Sequence, residues 1–334
     1  MKYRKLGRTD IEVSVVSMGC WAIIGDDTWG PQDETDSVAA IRASIDAGVN
    51  FFDTAEGYGR GASEKLLGRV LAEVPRDSVV IATKVGRNAL RPADLQTHCD
   101  ASLAHLKTDY LDLYQVHWPT HKVPLAETLA GLENLKRQGK VRVIGVSNFG
   151  ASYLRELLAI GRVESNQLCY SLLWRPIEHQ LQPLCVQNDL SILCYSPLCQ
   201  GLLTGKFSSP DDVPPSRART RLFVGTRPQS AHGEPGCEKE TFQAIADIQS
   251  ICRSIDQPMN QVALAWLLAR PGVTSVIAGA RSADQAALNA RAADLQLSPD
   301  VIDRLNRVTR PIMDYAGLNA DLWLHDSRME RPTQ

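Results

Sequence analysis

The segment FFDTAEGYGRGASEKLLGRVL, residues 51–71, carries a G-x-G-x-x-A spacing at Gly57, Gly59 and Ala62. In a Rossmann fold this spacing forms the turn between a strand and a helix, and the turn binds the phosphates of a dinucleotide. That turn needs an uninterrupted apolar strand before its first glycine, whereas Asp53 and Glu56 intervene here. An acidic residue should also close the next strand, but Asp77 begins it. The Rossmann interpretation is therefore disfavoured. A short-chain reductase is disfavoured as well, because no tyrosine precedes a lysine by four residues.

Polar residues follow the ends of eight short apolar runs that predict strands. The runs occupy residues 15–20, 50–54, 79–84, 111–117, 143–148, 164–168, 191–196 and 273–279. Helical patterns ending at glycines lie between most of them, which predicts parallel βα units. The polar residues at or just after the run ends are Asp53, Tyr58, Lys84, His117, Ser147, Asn148, Gln167, Tyr195, Ser196 and Arg281. In a closed barrel these ends meet at one rim, where the chemistry of such barrels is found.

The predicted fold is α/β, a (β/α)8 TIM barrel that spans residues 1–334 as one domain. An N-terminal hairpin is expected around GRTD, and an extra C-terminal helix is expected from Ser298. Residues 208–237, after the seventh strand, are rich in Pro, Gly, Ser and Arg. We expect this segment to be a long mobile loop over one face of the barrel.

Composition narrows the class of protein. The 36 basic and 38 acidic residues nearly cancel, so neither nucleic acid nor an anionic membrane is an expected partner. Eight cysteines without a C-x-x-C pair indicate reduced thiols. The N-terminus lacks a signal-peptide core and no apolar stretch could span a bilayer, so a cytoplasmic location is expected. In HWPTH, Pro119 prevents the helix that would bring His117 and His121 to one metal, and we predict no metal site.

Seven motifs in consistent order resemble the aldo-keto reductase family along nearly the whole chain. They are NFFDTAEGYG, VVIATKVG, LDLYQVHWP, GKVRVIGVSNF, NQLCYSLL, YSPLCQGLLTGKF and VIAGARSADQAALN. The resemblance implies a barrel that binds NADP(H) and reduces a small-molecule carbonyl compound. It places the family's catalytic tetrad on Asp53, Tyr58, Lys84 and His117. A monomer is the family-level expectation.

The chemistry of hydride transfer explains the four residue types. Negative charge builds on the carbonyl oxygen, so a positioned proton donor, Tyr58, lowers the barrier. We expect Lys84 to lower the pKa of that phenol, and Asp53 to keep the lysine charged and oriented. His117 would hydrogen-bond the carbonyl oxygen. The glycines flanking Tyr58 would allow the sharp turn that aims the phenol inward.

The resemblance also implies cofactor contacts around the rim. Ser147, Asn148 and Gln167 match the positions that hold the nicotinamide carboxamide, and Tyr195 matches the aromatic residue that stacks on its ring. The remaining expected cofactor contacts are Trp21, Asp53, Ser196, Pro197, Leu198, Gln200, Gly201, Lys206, Gly279, Arg281, Gln285 and Asn289. Arg281 is the expected partner of a 2′-phosphate, which favours NADPH over NADH.

Several rim residues have two interpretations. Trp21, Trp29 and Trp118 are expected to wall a substrate pocket, whereas Trp266 is expected to pack in the core. Three arginines of the long loop either clamp the cofactor phosphates or form a solvated basic surface: Arg217, Arg219 and Arg221. The C-terminal segment YAGLNADLWLHDSR either crosses the pocket with Trp323 or packs outside the barrel.

Three functions from different classes fit these residues. The leading one is an NADPH-dependent carbonyl reductase that acts on aldehydes, ketones or sugar-like compounds. The second is a non-catalytic NADP(H)-binding regulatory module, similar to the potassium-channel β-subunits, but those carry Asn where His117 stands. The third is an unrelated barrel enzyme such as an aldolase with Lys84 as a Schiff base, which leaves Asp53 and Tyr58 unexplained.

Overall fold

The computed structural model describes residues 1–331, and a closed barrel of eight parallel strands forms its centre. A two-stranded antiparallel hairpin precedes the barrel, formed by β1 (Tyr3–Lys5) and β2 (Glu12–Ser14). The barrel strands are β3 (Val16–Gly19), β4 (Phe51–Asp53), β5 (Val80–Val85), β6 (Leu111–Val116), β7 (Val141–Ser147), β8 (Ser165–Cys169), β9 (Ser191–Tyr195) and β10 (Val273–Gly279). Each pairs with the next, and β10 closes the barrel on β3. The (β/α)8 prediction is confirmed strand by strand.

Helices alternate with the strands and surround the barrel. They are α1 (Glu34–Asp46), α2 (Ala62–Leu71), α3 (Pro92–Leu106), α4 (Leu125–Arg137), α5 (Ala151–Ile160), α6 (Leu181–Gln187), α7 (Glu238–Ser254), α8 (Met259–Leu268), α9 (Ala283–Ala290), α10 (Pro299–Val308) and α11 (Arg310–Ala316). Side-chain hydrogen bonds cap the N-termini of several helices. For example, the Ser298 side chain accepts a hydrogen bond from the Val301 backbone N–H at the start of α10. The predicted C-terminal helix is therefore present, and α11 follows it as a helix that the sequence patterns did not indicate.

Two apolar clusters hold the barrel together. The larger fills the space between strands and helices and includes Trp266, which is buried as expected. The smaller lies inside the barrel, where Leu6, Ile11 and Val13 of the N-terminal hairpin pack with inward-facing strand residues such as Phe51 and Leu113. The hairpin thus closes one end of the barrel with apolar side chains, and the polar strand ends stand at the other.

Candidate active site

A cavity of about 680 Å³ opens at the C-terminal ends of the strands. It brings together residues that are up to 309 positions apart, since Gly19 and Arg328 both line it. The expected site residues that line it are Trp21, Trp29, Asp53, Tyr58, His117, Trp118, Ser147, Asn148, Gln167, Tyr195, Ser196, Pro197, Leu198, Gln200, Gly201, Lys206, Gly279, Arg281, Gln285 and Asn289. Lys84 lies beneath its floor, fully buried.

The floor of the cavity is a buried ion pair in contact with a phenol. The Lys84 ammonium donates to Asp53 Oδ1 at 2.6 Å and to the Thr54 carbonyl at 2.7 Å. Its Nζ also lies 3.4 Å from Tyr58 Oη. The ring of His117 lies edge-on to Tyr58, with 5.9 Å between the ring centres. Strands β4, β5 and β6 supply Asp53, Lys84 and the segment before His117, so neighbouring strands position the cluster.

Burial and charge set the protonation states of this cluster. Burial raises the pKa of Tyr58 and outweighs the lowering effect of Lys84. The expected net lowering of the Tyr58 pKa is therefore wrong for the protein without a ligand, because desolvation of the phenolate is the larger effect. The pKa of Lys84 is raised, since Asp53 and Tyr58 together overcome its burial. Burial, with the charges of Lys84 and Arg328, lowers the pKa of His117 to about 3. At neutral pH the phenol is protonated, the lysine is charged and the imidazole is neutral.

The loop that carries Tyr58 depends on one of its flanking glycines. Gly59 has φ of +57°, and a Cβ there would lie 2.6 Å from Ile24 Cδ1. Gly57 has neither a left-handed φ nor any atom within 4 Å of a built Cβ. The expectation that both glycines are needed for the turn is therefore correct for Gly59 and unsupported for Gly57.

Amide and hydroxyl groups form a fixed network beside the ion pair. Gln167 Nε2 donates to Asp53 Oδ2 at 2.7 Å, and Ser147 Oγ donates to the Gln167 carbonyl at 3.0 Å. Asn148 Nδ2 donates to the His117 carbonyl at 2.9 Å, and Asn148 Oδ1 accepts from Tyr195 Oη at 2.7 Å. Of the three residues expected near a nicotinamide carboxamide, Gln167 and Asn148 are thus hydrogen-bonded to tetrad residues, and Ser147 is hydrogen-bonded to Gln167 and Asn148.

The loop after β9 turns its backbone towards the cavity. Ser196, Cys199 and Gln200 all adopt positive φ, between 46° and 54°. Such a conformation is unfavourable for residues with a side chain and is found where function requires it. At Gly201, φ is +98° and a Cβ would lie 3.1 Å from Lys206 Nζ, so glycine lets the lysine fold over the loop.

Unpartnered polar groups at this end of the cavity fit a large polar ligand. Both side-chain amide atoms of Gln200, and Nε of Arg217, are buried without a hydrogen-bond partner. A buried polar group without a partner is destabilising unless a ligand or water satisfies it. Burial lowers the pKa of both Lys206 and Arg217; the like charges of Arg217 and then Arg281 lower that of Lys206 further, and the charge of Arg281 lowers that of Arg217. Three cations held near one another suit the phosphates of a dinucleotide.

Arg281 lines the cavity and also has a structural role, whereas Arg221 lies outside the cavity. All three guanidinium nitrogens of Arg281 already donate: Nε to Gln32 Oε1 at 2.6 Å, Nη1 to the Trp29 carbonyl at 2.9 Å, and Nη2 to the Pro31 carbonyl. Arg281 therefore holds the loop after β3 with three of its five N–H groups, and one N–H on each terminal nitrogen is left to donate to a ligand. Arg221 is 3 % exposed and pairs with Glu234, so it lies outside the cavity and is neither a phosphate clamp nor a solvated residue.

Aromatic side chains form two walls. On one side Trp21 stacks on Tyr58 with 5.8 Å between ring centres, and Trp29 meets Trp21 edge-on at 5.4 Å. On the other side Trp323 stacks on Tyr195 at 5.9 Å and meets Trp118 edge-on at 6.4 Å. Of the two interpretations of the C-terminal segment, the structure shows the one in which Trp323 enters the pocket.

Gln115 and Arg328 are two of the site residues that were not predicted from the sequence. Gln115 Nε2 lies 3.3 Å from Asp53 Oδ2, and its polar side chain within the apolar strand LDLYQV is a signal that could have revealed it. Arg328 lines the cavity, with its guanidinium carbon 3.9 Å from the Trp118 ring centre. No local pattern near Arg328 indicates this position, because it depends on how the C-terminal segment crosses the barrel.

The chain belongs to the aldo/keto reductase family, whose model matches residues 15–310. It is 34 % identical over 324 residues to an NADH-specific methylglyoxal reductase of Escherichia coli, which covers 89 % of this chain and 95 % of that protein. A probable voltage-gated potassium channel subunit beta of Oryza sativa is 28 % identical, over 93 % of this chain and 97 % of its own. A crystal structure of an aldo-keto reductase from Klebsiella pneumoniae with NADPH superposes with a TM-score of 0.72, at 30 % identity over 89 % of this chain and 92 % of that one.

Three general features accompany the site. All eight cysteines are buried and unpaired within the described part of the chain. Among residues 1–331, no group of three or more His, Cys, Asp or Glu side chains is arranged to hold a metal ion. In the same range, none of the helices has the length and apolar character needed to cross a membrane.

Proposed function

We propose that this protein reduces the carbonyl group of an aldehyde or ketone to an alcohol with a nicotinamide dinucleotide, and that Tyr58 is the proton donor. One observation carries the proposal: at the cavity floor the Lys84 ammonium contacts both the Asp53 carboxylate and the Tyr58 hydroxyl. When bound, the nicotinamide supplies the hydride. Everything else in the reaction is assigned to groups of this chain.

The resting protonation states suit the reductive direction. Because burial raises its pKa, Tyr58 holds its proton at neutral pH and can donate it to a carbonyl oxygen. The phenolate that remains is stabilised by Lys84, and Asp53 keeps that ammonium charged and fixed in place. His117 is neutral, so one ring nitrogen can donate a hydrogen bond to the same oxygen. Tyr58 and His117 therefore orient and protonate one oxygen together.

The cofactor site is assigned by the groups that line the cavity. Ser147, Asn148 and Gln167 would hold the carboxamide, and the Tyr195 ring would pack on the nicotinamide. The loop 196–201 with Lys206 and Arg217 would hold the phosphates, and Gly279, Arg281, Gln285 and Asn289 would lie at the adenosine end. We propose a preference for NADPH, supported by the three cations Lys206, Arg217 and Arg281. Comparison of kcat/KM for NADPH and NADH tests it, and an equal or higher value with NADH would refute it.

Tyr58→Phe tests the proposed function. We expect it to lower kcat by about 10²–10⁴-fold, as removal of a general acid does, with cofactor binding retained. Tyr110→Phe is the matched control, because Tyr110 packs under Arg76 away from the cavity. Carbonyl reduction by Tyr58→Phe at the wild-type rate would refute the assignment. Cofactor binding without reduction of any carbonyl by the wild type would instead favour the regulatory module.

A further inference from the structure

The charges that face the cavity are strongly unbalanced. Five basic side chains line it: Lys206, Arg217, Arg219, Arg281 and Arg328. Among the described residues a single carboxylate lines it, that of Asp53, which is paired with Lys84. The carboxylates of the protein do not balance these five cations, so the cavity is suited to a ligand that carries negative charge.

These five cations fall into two groups. Lys206, Arg217 and Arg281 lie close enough to influence one another, since Arg281 lowers the pKa of both of the others. Arg219 and Arg328 form the second group: both line the cavity, Arg219 is hydrogen-bonded to Ser216 and Arg328 to Asp321, and after burial the charge of Arg328 helps to lower the pKa of Arg219. The first group faces the proposed phosphate site, and the second group needs a different explanation.

Arg219 is half-buried and has no ion-pair partner in the described chain. Its Nε donates to the Ser216 carbonyl at 2.9 Å, and Ser216 Oγ donates to the Thr28 carbonyl at 3.0 Å. Asp26 is the acidic residue whose charge raises the pKa of Arg219. Its carboxylate oxygens already accept from Trp21 Nε1 at 2.8 Å and from two backbone N–H groups of its own loop. The terminal nitrogens of Arg219 therefore remain able to bind a ligand.

Arg328 is held rigidly with one terminal nitrogen left over. Its Nε and Nη2 each donate to the buried Asp321 carboxylate at 3.0 Å, which fixes the guanidinium over Trp118. Asp321 also accepts from the Trp323 and Leu324 backbone N–H groups, so the whole turn is braced. Asp321 itself does not line the cavity, whereas Arg328 does. A guanidinium fixed in this way binds a carboxylate or phosphate with little loss of conformational freedom.

Both arginines lie towards the reacting groups of the tetrad. Arg328 lies over Trp118, the residue after His117, and its charge reaches that imidazole. The charge of Asp26 raises the pKa of Arg219. The Asp26 carboxylate also accepts a hydrogen bond from Trp21, and Trp21 stacks on Tyr58. Both cations therefore line the same cavity as Tyr58 and His117, and Arg328 lies at its Trp118 wall.

We propose that Arg219 and Arg328 bind an anionic group of the substrate, so that this enzyme acts on aldehydes or ketones that carry a carboxylate or a phosphate. The inference rests on the proposed function, because it concerns the same substrate: Tyr58 and His117 would bind its carbonyl group, and the two arginines would bind an anionic group elsewhere on it. Guanidinium groups recognise both anions, and the experiment separates the two sources.

The test compares 4-carboxybenzaldehyde with its neutral methyl ester, and glyceraldehyde 3-phosphate with glyceraldehyde. We expect kcat/KM to be about tenfold to a hundredfold higher for the anionic member of at least one pair, the range for a hydrogen bond to a charged group. Arg219→Gln should lower the anionic-to-neutral ratio by a similar factor, and Arg219→Lys should restore part of it. Arg310→Gln, which changes an exposed arginine paired with Asp314, is the control and should keep the ratio.

A ratio near one for the wild type in both pairs, or a ratio unaffected by Arg219→Gln, would overturn the inference while leaving the reductase in place. If no carbonyl compound is reduced, the proposed function fails instead. Calorimetry with unreactive 4-methylbenzoate and 4-methylbenzamide then still tests the arginine pair. Tighter binding of the anion that is lost in Arg219→Gln supports the pair, and equal binding refutes it.

Discussion

The two ends of the barrel are built from the same strands and have opposite chemistry. Phe51, Ala82, Leu113 and Leu193 pack with the hairpin at the closed end. Two residues further along the same strands stand Asp53, Lys84, Gln115 and Tyr195, which form or surround the cavity floor. Because side chains two apart on a strand share a face, one inward-facing row changes from apolar to polar within a single step. The closed end should therefore govern stability, and the open end should govern activity.

Lys84→Met is expected to have the largest effect, because it changes both properties at the open end. It leaves the 3 % exposed Asp53 carboxylate without its cation, which should lower the free energy of unfolding by about 3–5 kcal/mol. It also removes the charge that stabilises a phenolate at Tyr58, so kcat should fall by at least about 10²-fold. Urea unfolding and steady-state kinetics measure the two losses.

Asp53→Asn combined with Lys84→Met separates these effects. The double variant has no unpaired buried charge, so stability should partly recover while activity stays low. Recovery of activity along with stability would contradict the role of Lys84 beside Tyr58.

Leu113→Ala tests the closed end. Leu113 is fully buried inside the barrel, so truncation should lower the free energy of unfolding by about 2–5 kcal/mol. The kcat of the folded enzyme should change little, because the cavity floor lies further along the strand. Val186→Ala is the control, since Val186 is 44 % exposed and should cost far less. A large loss of kcat in folded Leu113→Ala would show that the two ends are not separable.

The sequence predicts the architecture well because the apolar strands and the polar residues at their C-terminal ends can both be recognised from neighbouring residues. Each barrel strand overlaps a predicted apolar run to within two residues at either end, and the polar residues at the ends of those runs meet at one cavity. Lys84 in VVIATK is conspicuous because a charged residue rarely lies in a buried strand without a partner.

Interactions between distant segments could not be predicted in the same way. The three hydrogen bonds of the Arg281 guanidinium depend on where the loop containing Pro31 returns to the rim of the barrel. The raised pKa of Tyr58 depends on how much water the folded rim excludes, and residue types alone do not give that. Arg328 reaches Trp118 only because buried Asp321 folds the C-terminal segment around itself. Each of these features is a property of packing between segments far apart in the chain.

The stability of the protein should depend on pH through His117, which lies at the open end of the barrel. Histidine has an ordinary pKa of 6.5, and that of His117 is lowered to about 3, so the unfolded chain binds a proton that the folded one excludes. Stability from this group is complete above about pH 6.5 and is lost as pH falls from there towards 3, by at most about 1.4 kcal/mol per pH unit. Urea unfolding of wild type and His117→Asn at pH 7.5 and 5.0 measures it. Identical losses in the two proteins would argue against a buried, neutral imidazole.

The smallest expected effect separates the two glycines beside Tyr58. Gly59→Ala places a Cβ at φ of +57°, where a residue with a side chain is destabilised by about 1–2 kcal/mol, and against Ile24 Cδ1 at 2.6 Å. Because the strain lies in the loop that carries the phenol, kcat should fall along with the melting temperature. Gly57→Ala meets no atom within 4 Å and no left-handed φ, so it should leave the melting temperature unchanged or slightly higher. Thermal unfolding and kinetics of the pair measure this, and equal losses at both positions would mean that the whole turn, rather than the Gly59 conformation, positions Tyr58.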